Sequence, residues 1–558
     1  MTTAAAVAKA LADAGIARVF GLPGGEVLVL IDELRKAGID FVLMRHEANA
    51  GIAAAVYGKS LGQPGVVLAT LGPGAANLLL PVASAYLDQE PLLAISAQLP
   101  GDLPASHTHQ LLPLQDIYRP MCRLTSEITV DNATSVVGRA LAACMERPYG
   151  ASFLTMSARE ALKTGEDGRP PIIGSPTGSP NAADSVVPHS MGGRDTASAA
   201  ANLRARLATA ERPLVLLGLG VDNANATRIR RWLDDWNLPV AVTPKVKGIV
   251  DETGPNFVGV ISGMAADGLM VEALKASDLL IGFGLDPVEV DKTWHTELPI
   301  EWVLEAPNVA GIIPPGVALV DHASFLDAMV QSPAPRHWAR PFAEFQQQRH
   351  DLLIRRGASS TFAPRATADK SDAPAHVTMW PGDLIRALSA AMPATTIVTT
   401  DVGSHKYLFG QFWPSRHPGT FWMSNGLSGM AYGLSAAIGA KLAHPDVPVL
   451  AAVGDGGFSM NAQELETAER VGAPFVTVVL EDGSYSLIKL AQENRKLLPH
   501  RMDFRPIDTV KMAEACGVQA LRTSDPDELA SAVRAAVAAN RSLVVGVPVN
   551  YADYKLLF

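Results

Sequence analysis

Cysteine is nearly absent: Cys122, Cys144 and Cys516 are the only three in 558 residues. That excludes a disulfide framework, and without a C-x-x-C pair it also excludes the usual structural zinc site. A reducing cytoplasm is the expected setting. A cationic surplus is missing too. Lys plus Arg is 46 and Asp plus Glu is 56, for a formal net charge of −10. Nucleic-acid binders carry the opposite balance, so no nucleic-acid partner is expected. No apolar run is long enough to span a bilayer, so no membrane partner is expected either. Met1–Gly15 lacks the basic start of a signal peptide and is interrupted by Lys9 and Asp13. It reads as an amphipathic helix beginning near Thr3 and stopping at Gly15. Charged residues are 18% against 48% hydrophobic, which excludes a disordered chain. The length points to about three or four domains.

What is present is an alternation. Short apolar runs such as ARVFGLP (17–23), DFVLMRH (40–46), GVVLATL (65–71) and PLLAISA (91–97) are separated by Ala-rich helical stretches such as EANAGIAAAVYGKSLG (47–62). This is the pattern of βαβ units, with a parallel sheet covered by helices on both faces. Two Pro-, Gly- and Ser-rich stretches, 164–195 and 331–382, read as linkers. They divide the chain into 1–163, 196–330 and 383–558. Each piece repeats the alternation, so the expected fold is α/β, with three doubly wound parallel-sheet domains and one architecture used three times.

The most informative stretch runs from Gly454 to Ile488. A strand, VLAAV, leads into Gly454-Asp455-Gly456-Gly457. A helix follows with Gln463, Glu464 and Glu466 on its polar side, closed by Gly472 and Pro474. A second strand, FVTVVL, ends at Glu481-Asp482-Gly483-Ser484. Asp455 and Asp482 are thereby expected at the C-terminal ends of neighbouring parallel strands, the edge where open α/β sheets bind ligands. Glycines admit an anion close to backbone N–H groups, and paired carboxylates with a phosphate are a common way to hold Mg²⁺. A Mg²⁺-diphosphate site is the reading of these residues. A GDGG turn by itself is equally an ordinary capped turn.

The two dozen residues between Gly456 and Glu481 change that balance. Gly-Asp-Gly, that interval, and a terminal Asn/Asp pair resemble the signature of thiamin diphosphate (ThDP) enzymes. Glu481-Asp482 departs from the more usual Asn-Asn. Glu47 opens a helix after the strand DFVLMRH, and resembles the family's Glu that meets the aminopyrimidine ring. Alone it would be only a favourable partner for the helix dipole. Thr70-Leu71-Gly72-Pro73-Gly74-Ala75-Ala76-Asn77 resembles the loop beside the pyrimidine. Within the family, FGLPGGEVLVLIDEL (20–34), residues 70–100, DVGSHKYLFGQFW (401–413) and residues 423–445 resemble acetolactate synthase. Residues 107–125 and GLDPVEVDKTW (284–294) resemble its catabolic, flavin-independent branch, with Arg123 for the usual Lys and Pro113 for an Asp.

The resemblance implies a pyrimidine-binding, a middle and a diphosphate-binding domain, and an active site shared between subunits of a homodimer or tetramer. It implies ThDP held by Gly25, Glu47, Thr70, Pro73, Asn77, Gly403, Ser404, His405, Ser428, Met430, Gly454, Asp455, Gly456, Gly457, Asp482, Ser484 and Tyr485. Met430 would prop the bent cofactor. Mg²⁺ would be held by Asp455, Asp482 and the Ser484 carbonyl, and Glu47 and Gln110 would be catalytic. FAD is not expected. The implied reaction is decarboxylation of a small 2-oxo acid, pyruvate favoured, with carboligation to an acceptor. The alternatives are a non-ligating decarboxylase or lyase, and a catalytically silent protein of the same fold.

Three features are discounted. Gly218-Leu219-Gly220 follows a strand, but Asn223 stands where a dinucleotide fingerprint needs its third glycine. His107 and His109 have no third ligand nearby and read as loop or channel-lining residues. Lys489, four residues after Tyr485, reads as solvent-exposed.

Overall fold

The computed structural model describes residues 1–104, 106–165, 196–290, 293–330, 342–354, 361–362 and 376–557. Most of the two expected linkers, 164–195 and 331–382, lies outside them. The N-terminal helix runs from Thr3 to Asp13 and is capped by Thr2, whose hydroxyl accepts from the Ala5 N–H at 3.2 Å.

Three six-stranded sheets organise the chain, and every pairing within them is parallel. The first contains β1 (Arg18–Gly21), β2 (Asp40–Leu43), β3 (Gly65–Ala69), β4 (Leu92–Gln98), β5 (Cys122–Glu127) and β6 (Ala151–Ser157). The second contains β7 (Pro213–Leu217), β8 (Val240–Val242), β9 (Phe257–Val260), β10 (Leu279–Phe283), β11 (Ile300–Leu304) and β12 (Ala318–Leu319). A short antiparallel pair, β13 (Thr361–Phe362) and β14 (His376–Val377), precedes the third sheet. That sheet contains β15 (Ile397–Thr400), β16 (Phe421–Met423), β17 (Val449–Gly454), β18 (Val476–Glu481), β19 (Gln519–Arg522) and β20 (Leu543–Pro548). Central strands such as β3, GVVLA, are buried at every residue. Sheets covered on both faces require such continuous apolar runs.

Strand order separates the domains. The first sheet runs β2-β1-β3-β4-β6-β5, and the third repeats it as β16-β15-β17-β18-β20-β19. The middle sheet runs β12-β11-β10-β7-β8-β9, the dinucleotide-fold order read from its far edge. The expectation of one architecture used three times therefore holds for the layers but not for the wiring. Each sheet has a central crevice where the winding reverses, β1/β3, β7/β10 and β15/β17, and the first and third sheets reverse again at their far edge, where β5 and β19 lie outside β6 and β20. Ligands of doubly wound folds bind at such switch points, outside the carboxyl ends of the strands.

The first and third domains share an apolar core. The helix Glu47–Ser60 is buried on all sides from Glu47 to Gly58, as its Ala-rich, non-amphipathic composition requires. It packs against the helix Tyr432–Ala443 so closely that a Cβ at Gly439 would lie 2.2 Å from the Ala53 carbonyl oxygen. Among the described residues, no helix is long and apolar enough to cross a membrane.

Candidate active site

β17 and β18 are neighbours in register, Gly454 opposite Leu480, so Asp455 and Asp482 emerge side by side one and two residues later. Both are buried. Asp455 accepts from the backbone N–H of Gly456 (2.9 Å) and Gly483 (2.8 Å). Asp482 accepts from the Ser484 N–H (3.1 Å) and the Ser486 hydroxyl (2.6 Å). Burial, and then the facing Asp482 charge, push the Asp455 carboxyl well above the usual range. Burial pushes Asp482 up to about 6 against its hydrogen bonds to Ser486 and Ser484. Two buried carboxylates in this state are arranged to receive a cation. Ser484 bridges to Asp503, and its hydroxyl donates to the Met502 carbonyl. Among the described residues, no group of three or more His, Cys, Asp or Glu could hold a metal ion.

Across the switch crevice, Asp401 follows the last residue of β15, and Gly403 precedes the helix Ser404–Phe412. Ser404 Oγ and His405 Nε2 are buried without a hydrogen-bond partner. Burial lowers the His405 imidazole to about 3, so it is neutral. A Cβ at Gly454 would lie 3.1 Å from the His405 ring, and one at Gly456 2.9 Å from the Tyr485 ring. The glycines thus leave the space between the two strand ends open. Asp401, buried and raised to about 6 by burial, accepts from the N–H groups of Ala431 (3.1 Å) and Tyr432 (3.3 Å). It anchors the loop carrying Ser428 and Met430, both of which adjoin left-handed backbone or adopt it themselves: φ is 55° at Ser428 and 65° at Ala431.

The first domain builds its own cluster at the β1/β3 switch. Glu47 begins its helix behind His46, whose Nδ1 accepts from the Ala48 N–H at 3.0 Å. Glu47 is 5% exposed, and its Oε2 accepts from Asn77 Nδ2 at 2.9 Å. Asn77 is therefore a partner of Glu47 and not simply a helix cap. Thr70 donates to Glu26 Oε2 at 2.6 Å, and Gly24, beside Gly25, approaches Thr70 so closely that a Cβ would meet its hydroxyl at 2.4 Å. Gln110, with φ of 60°, packs over Gly72, next to the exposed Pro73. His107 and His109 lie on the same exposed loop.

Among the described residues, neither Asp455 nor Asp482 is hydrogen-bonded to the first domain. Exposed apolar side chains flank both, Leu28, Leu79, Leu80 and Leu111 on the first and Met460, Tyr485 and Ile488 on the third.

Several residues differ from their sequence reading. The stretch after Asp455 forms two helices, Asp455–Asn461 and Glu464–Arg470. Glu464 is not on a solvated face; it is fully buried and accepts from the Arg45 N–H (3.1 Å) and Asn49 Nδ2 (2.8 Å), on either side of Glu47. Lys489 is not solvent-exposed either. It pairs with Asp503 at 2.8 Å, lies over the Tyr551 ring, and its side chain is 13% exposed. Glu481 points away from Asp482, pairing with Arg522 at 2.7 Å and accepting from the Thr509 hydroxyl. Arg123 donates to the Pro148 carbonyl. At the middle switch point, Glu289 is buried and its Oε2 accepts from the Leu219 N–H (2.7 Å) and the Thr243 hydroxyl (2.8 Å). The Gly218–Gly220 turn, discounted as a nucleotide site, thus presents an amide already engaged by the chain's own carboxylate.

Three family models match in order. The thiamine pyrophosphate enzyme N-terminal TPP binding domain covers residues 1–116, the central domain 200–309, and the C-terminal TPP binding domain 401–547. The chain is 29% identical to an acetolactate synthase of Bacillus subtilis (strain 168), over 98% of this chain and 93% of that protein. It is 28% identical to a catabolic acetolactate synthase of Raoultella terrigena, over 97% and 94%. It is also 28% identical to a probable acetolactate synthase large subunit of Methanocaldococcus jannaschii, over 99% and 93%.

Proposed function

The chain belongs to the thiamine pyrophosphate enzymes of acetolactate synthase-like type, and from that premise we propose that it uses ThDP with Mg²⁺ to decarboxylate a small 2-oxo acid, pyruvate first, and to ligate the two-carbon unit to an acceptor. One observation carries this reading: two buried carboxylates, Asp455 and Asp482, stand on adjacent strand ends beside the unpartnered Ser404 hydroxyl and the helix N-terminus that follows Gly403. The carboxylates suit a cation, and the hydroxyl and helix N-terminus suit a diphosphate.

In this reading Asp455, Asp482 and the Ser484 carbonyl would hold Mg²⁺, which would neutralise the diphosphate beside it. Gly403, Ser404, His405, Gly454, Gly456 and Gly457 line the diphosphate, with Tyr485 at its edge. Met430 and Ser428 support the cofactor's bend. Gly25, Thr70, Pro73 and Asn77 surround the pyrimidine. When bound, ThDP supplies the electron sink for loss of carbon dioxide. The protein's own part is positional and protonic. Asn77 occupies Glu47 Oε2, leaving Oε1 to hold a proton against the pyrimidine ring. Gln110, over Gly72, orients the substrate, and the surrounding apolar wall keeps water from the reacting carbon.

The exposed apolar side chains flanking each cluster support a site completed by a second copy of the chain in a homodimer or tetramer. The three sheets support division into domains at 1–163, 196–330 and 383–558, and three free thiols support a reducing, cytoplasmic location. Flavin is not required in this reading. The Leu219 amide that would face a pyrophosphate is taken by Glu289.

Mass spectrometry of products from pyruvate alone, and from pyruvate mixed with other oxo acids, tests the proposal. A five-carbon acetolactate is expected. Acetaldehyde as sole product would replace carboligation with simple decarboxylation, and no turnover of any oxo acid would overturn the assignment.

A further inference from the structure

The turn Asp88-Gln89-Glu90 of the first domain, between the helix Leu79–Leu87 and β4, touches both other domains. Asp88 accepts from the N–H groups of Asn425 (3.1 Å) and Gly426 (2.7 Å). Gln89 Nε2 donates to Asp286 Oδ2 at 2.7 Å. Glu90 Oε1 accepts from Tyr432 Oη at 3.3 Å and from Lys245 Nζ at 2.9 Å. Lys245 follows β8 in the middle domain, lies 3.7 Å from Asp88, and donates to the Met423 carbonyl at 2.9 Å. The Lys245 side chain is 3% exposed, and those of Asp88 and Glu90 1%. Burial alone would lower the Lys245 ammonium, but Asp88 and then Glu90 outweigh it and leave its pKa raised. The lysine therefore stays charged.

These anchors converge on the loop carrying Ser428 and Met430. Met423, Asn425 and Gly426 end on Lys245 or Asp88, and Lys406 Nζ donates to the Ser424 carbonyl at 2.8 Å. The loop includes left-handed Ser428, a conformation that persists in such residues only when the surroundings impose it. We propose that Lys245, held by Asp88 and Glu90, is a positioning residue for this loop, so that the middle domain, which contributes no residue to the cofactor site, sets ThDP affinity and the fate of the substrate. The inference rests on the cofactor site proposed above. Loss of Lys245 leaves Lys59, which donates to the Asp88 and Gln89 carbonyls, as the cation beside Asp88 and Glu90 and frees the Met423 carbonyl, so the loop loses its anchor on the β16 side.

The test is ThDP affinity by titration with Mg²⁺ present, together with the ratio of released aldehyde to ligated product. Lys245→Met is expected to bind ThDP at least tenfold more weakly and to release more aldehyde. Arg147→Met breaks a different contact of the first and middle domains, with Asp222 and Glu305, and is expected to bind ThDP within twofold of wild type. If Lys245→Met does not fold, Glu90→Gln decides: it keeps the shape and should weaken ThDP at least threefold. Wild-type affinity in the folded Lys245 variant, or in Glu90→Gln when that variant decides, or an equal loss in Arg147→Met, would overturn the positioning role. Asp455→Ala separates the premise. If it binds ThDP as wild type does, the cofactor site itself is misplaced; if it loses ThDP while Lys245→Met keeps it, only the positioning role fails.

Discussion

Replacement of Asp455 by Asn should leave the empty protein nearly unchanged and remove most of what ligand adds. Without ligand, two effects oppose. The amide ends the repulsion with Asp482, whose own carboxyl stands at about 6 against an ordinary 3.8. Burial, the cause of that rise, stays in the variant, so the amide relieves only the repulsion that Asp482 exerts on Asp455. Against this, Asp455 accepts two backbone N–H bonds, from Gly456 and Gly483. An amide can accept only one of them and presents its NH₂ to the other, a cost of about 1–3 kcal/mol. The two oppose, so the empty variant should stay within about 1–3 kcal/mol of wild type. With Mg²⁺ and ThDP at a hundredfold excess over Kd, wild type gains about 2.7 kcal/mol by mass action, whereas a site weakened a hundredfold gains about 0.4 kcal/mol. Thermal melts with and without both ligands read this directly. Asp482→Asn, at the second proposed ligand, should lose part of the ligand-induced shift as well, its oxygen still accepting from Ser484. A full ligand shift in Asp455→Asn would refute the metal assignment.

Glu47→Gln keeps the shape and the Asn77 contact but removes the ionisable group, so turnover should fall about 10²- to 10⁴-fold with ThDP affinity changed much less; proton exchange at the reactive thiazolium carbon, followed by NMR, should slow in parallel. Purified protein should show no flavin absorbance after gel filtration and need no added FAD for turnover, and activity lost with a yellow chromophore would contradict this. Glu464→Gln, which weakens the acceptor for Arg45 and Asn49 around Glu47, should reduce turnover and leave Mg²⁺ affinity unchanged.

Much of the site was legible because periodicity and punctuation carry it. Alternating apolar runs located the strands, and a strand that ends in Gly-Asp-Gly has its carboxylate at the sheet's ligand edge whatever the rest of the fold. Glu47 was singled out only through the family resemblance, since an acidic residue opening an Ala-rich helix is by itself an ordinary dipole partner. Strand order was not legible, since β7 to β12 show the same local pattern as β1 to β6 and differ only in which neighbours they choose. The partners of polar residues were equally hidden. Glu481 meets Thr509 and Arg522, and Glu90 meets Lys245 and Tyr432, across separations that leave no periodic trace. Lys489 looked solvated because its cover, Tyr551 and Asp503, comes from segments distant in sequence.

The middle domain's switch point makes a separate claim that pH can test. Glu289 is completely buried, and burial raises its carboxyl to about 8 despite hydrogen bonds from Thr243 and Leu219. Only Oε2 is used; Oε1 is buried without a partner. An acid whose folded pKa is raised binds its proton more tightly folded than unfolded, so between about 4.5 and 8 stability falls as pH rises. Each pH unit inside that window is worth at most about 1.4 kcal/mol. Glu289→Gln removes the titration and fits the site, with its carbonyl oxygen in the place of Oε2 and its NH₂ in the place of Oε1. Relative to wild type, the variant should therefore gain up to about 2.7 kcal/mol between pH 5.5 and 7.5, read as the difference in urea unfolding midpoints at the two pH values. Leu219 keeps its acceptor in the variant, so flavin binding should not appear with the added stability. A wild type and variant whose difference does not move with pH would show that Glu289 is charged at neutrality, and that the crevice is open enough to solvate it.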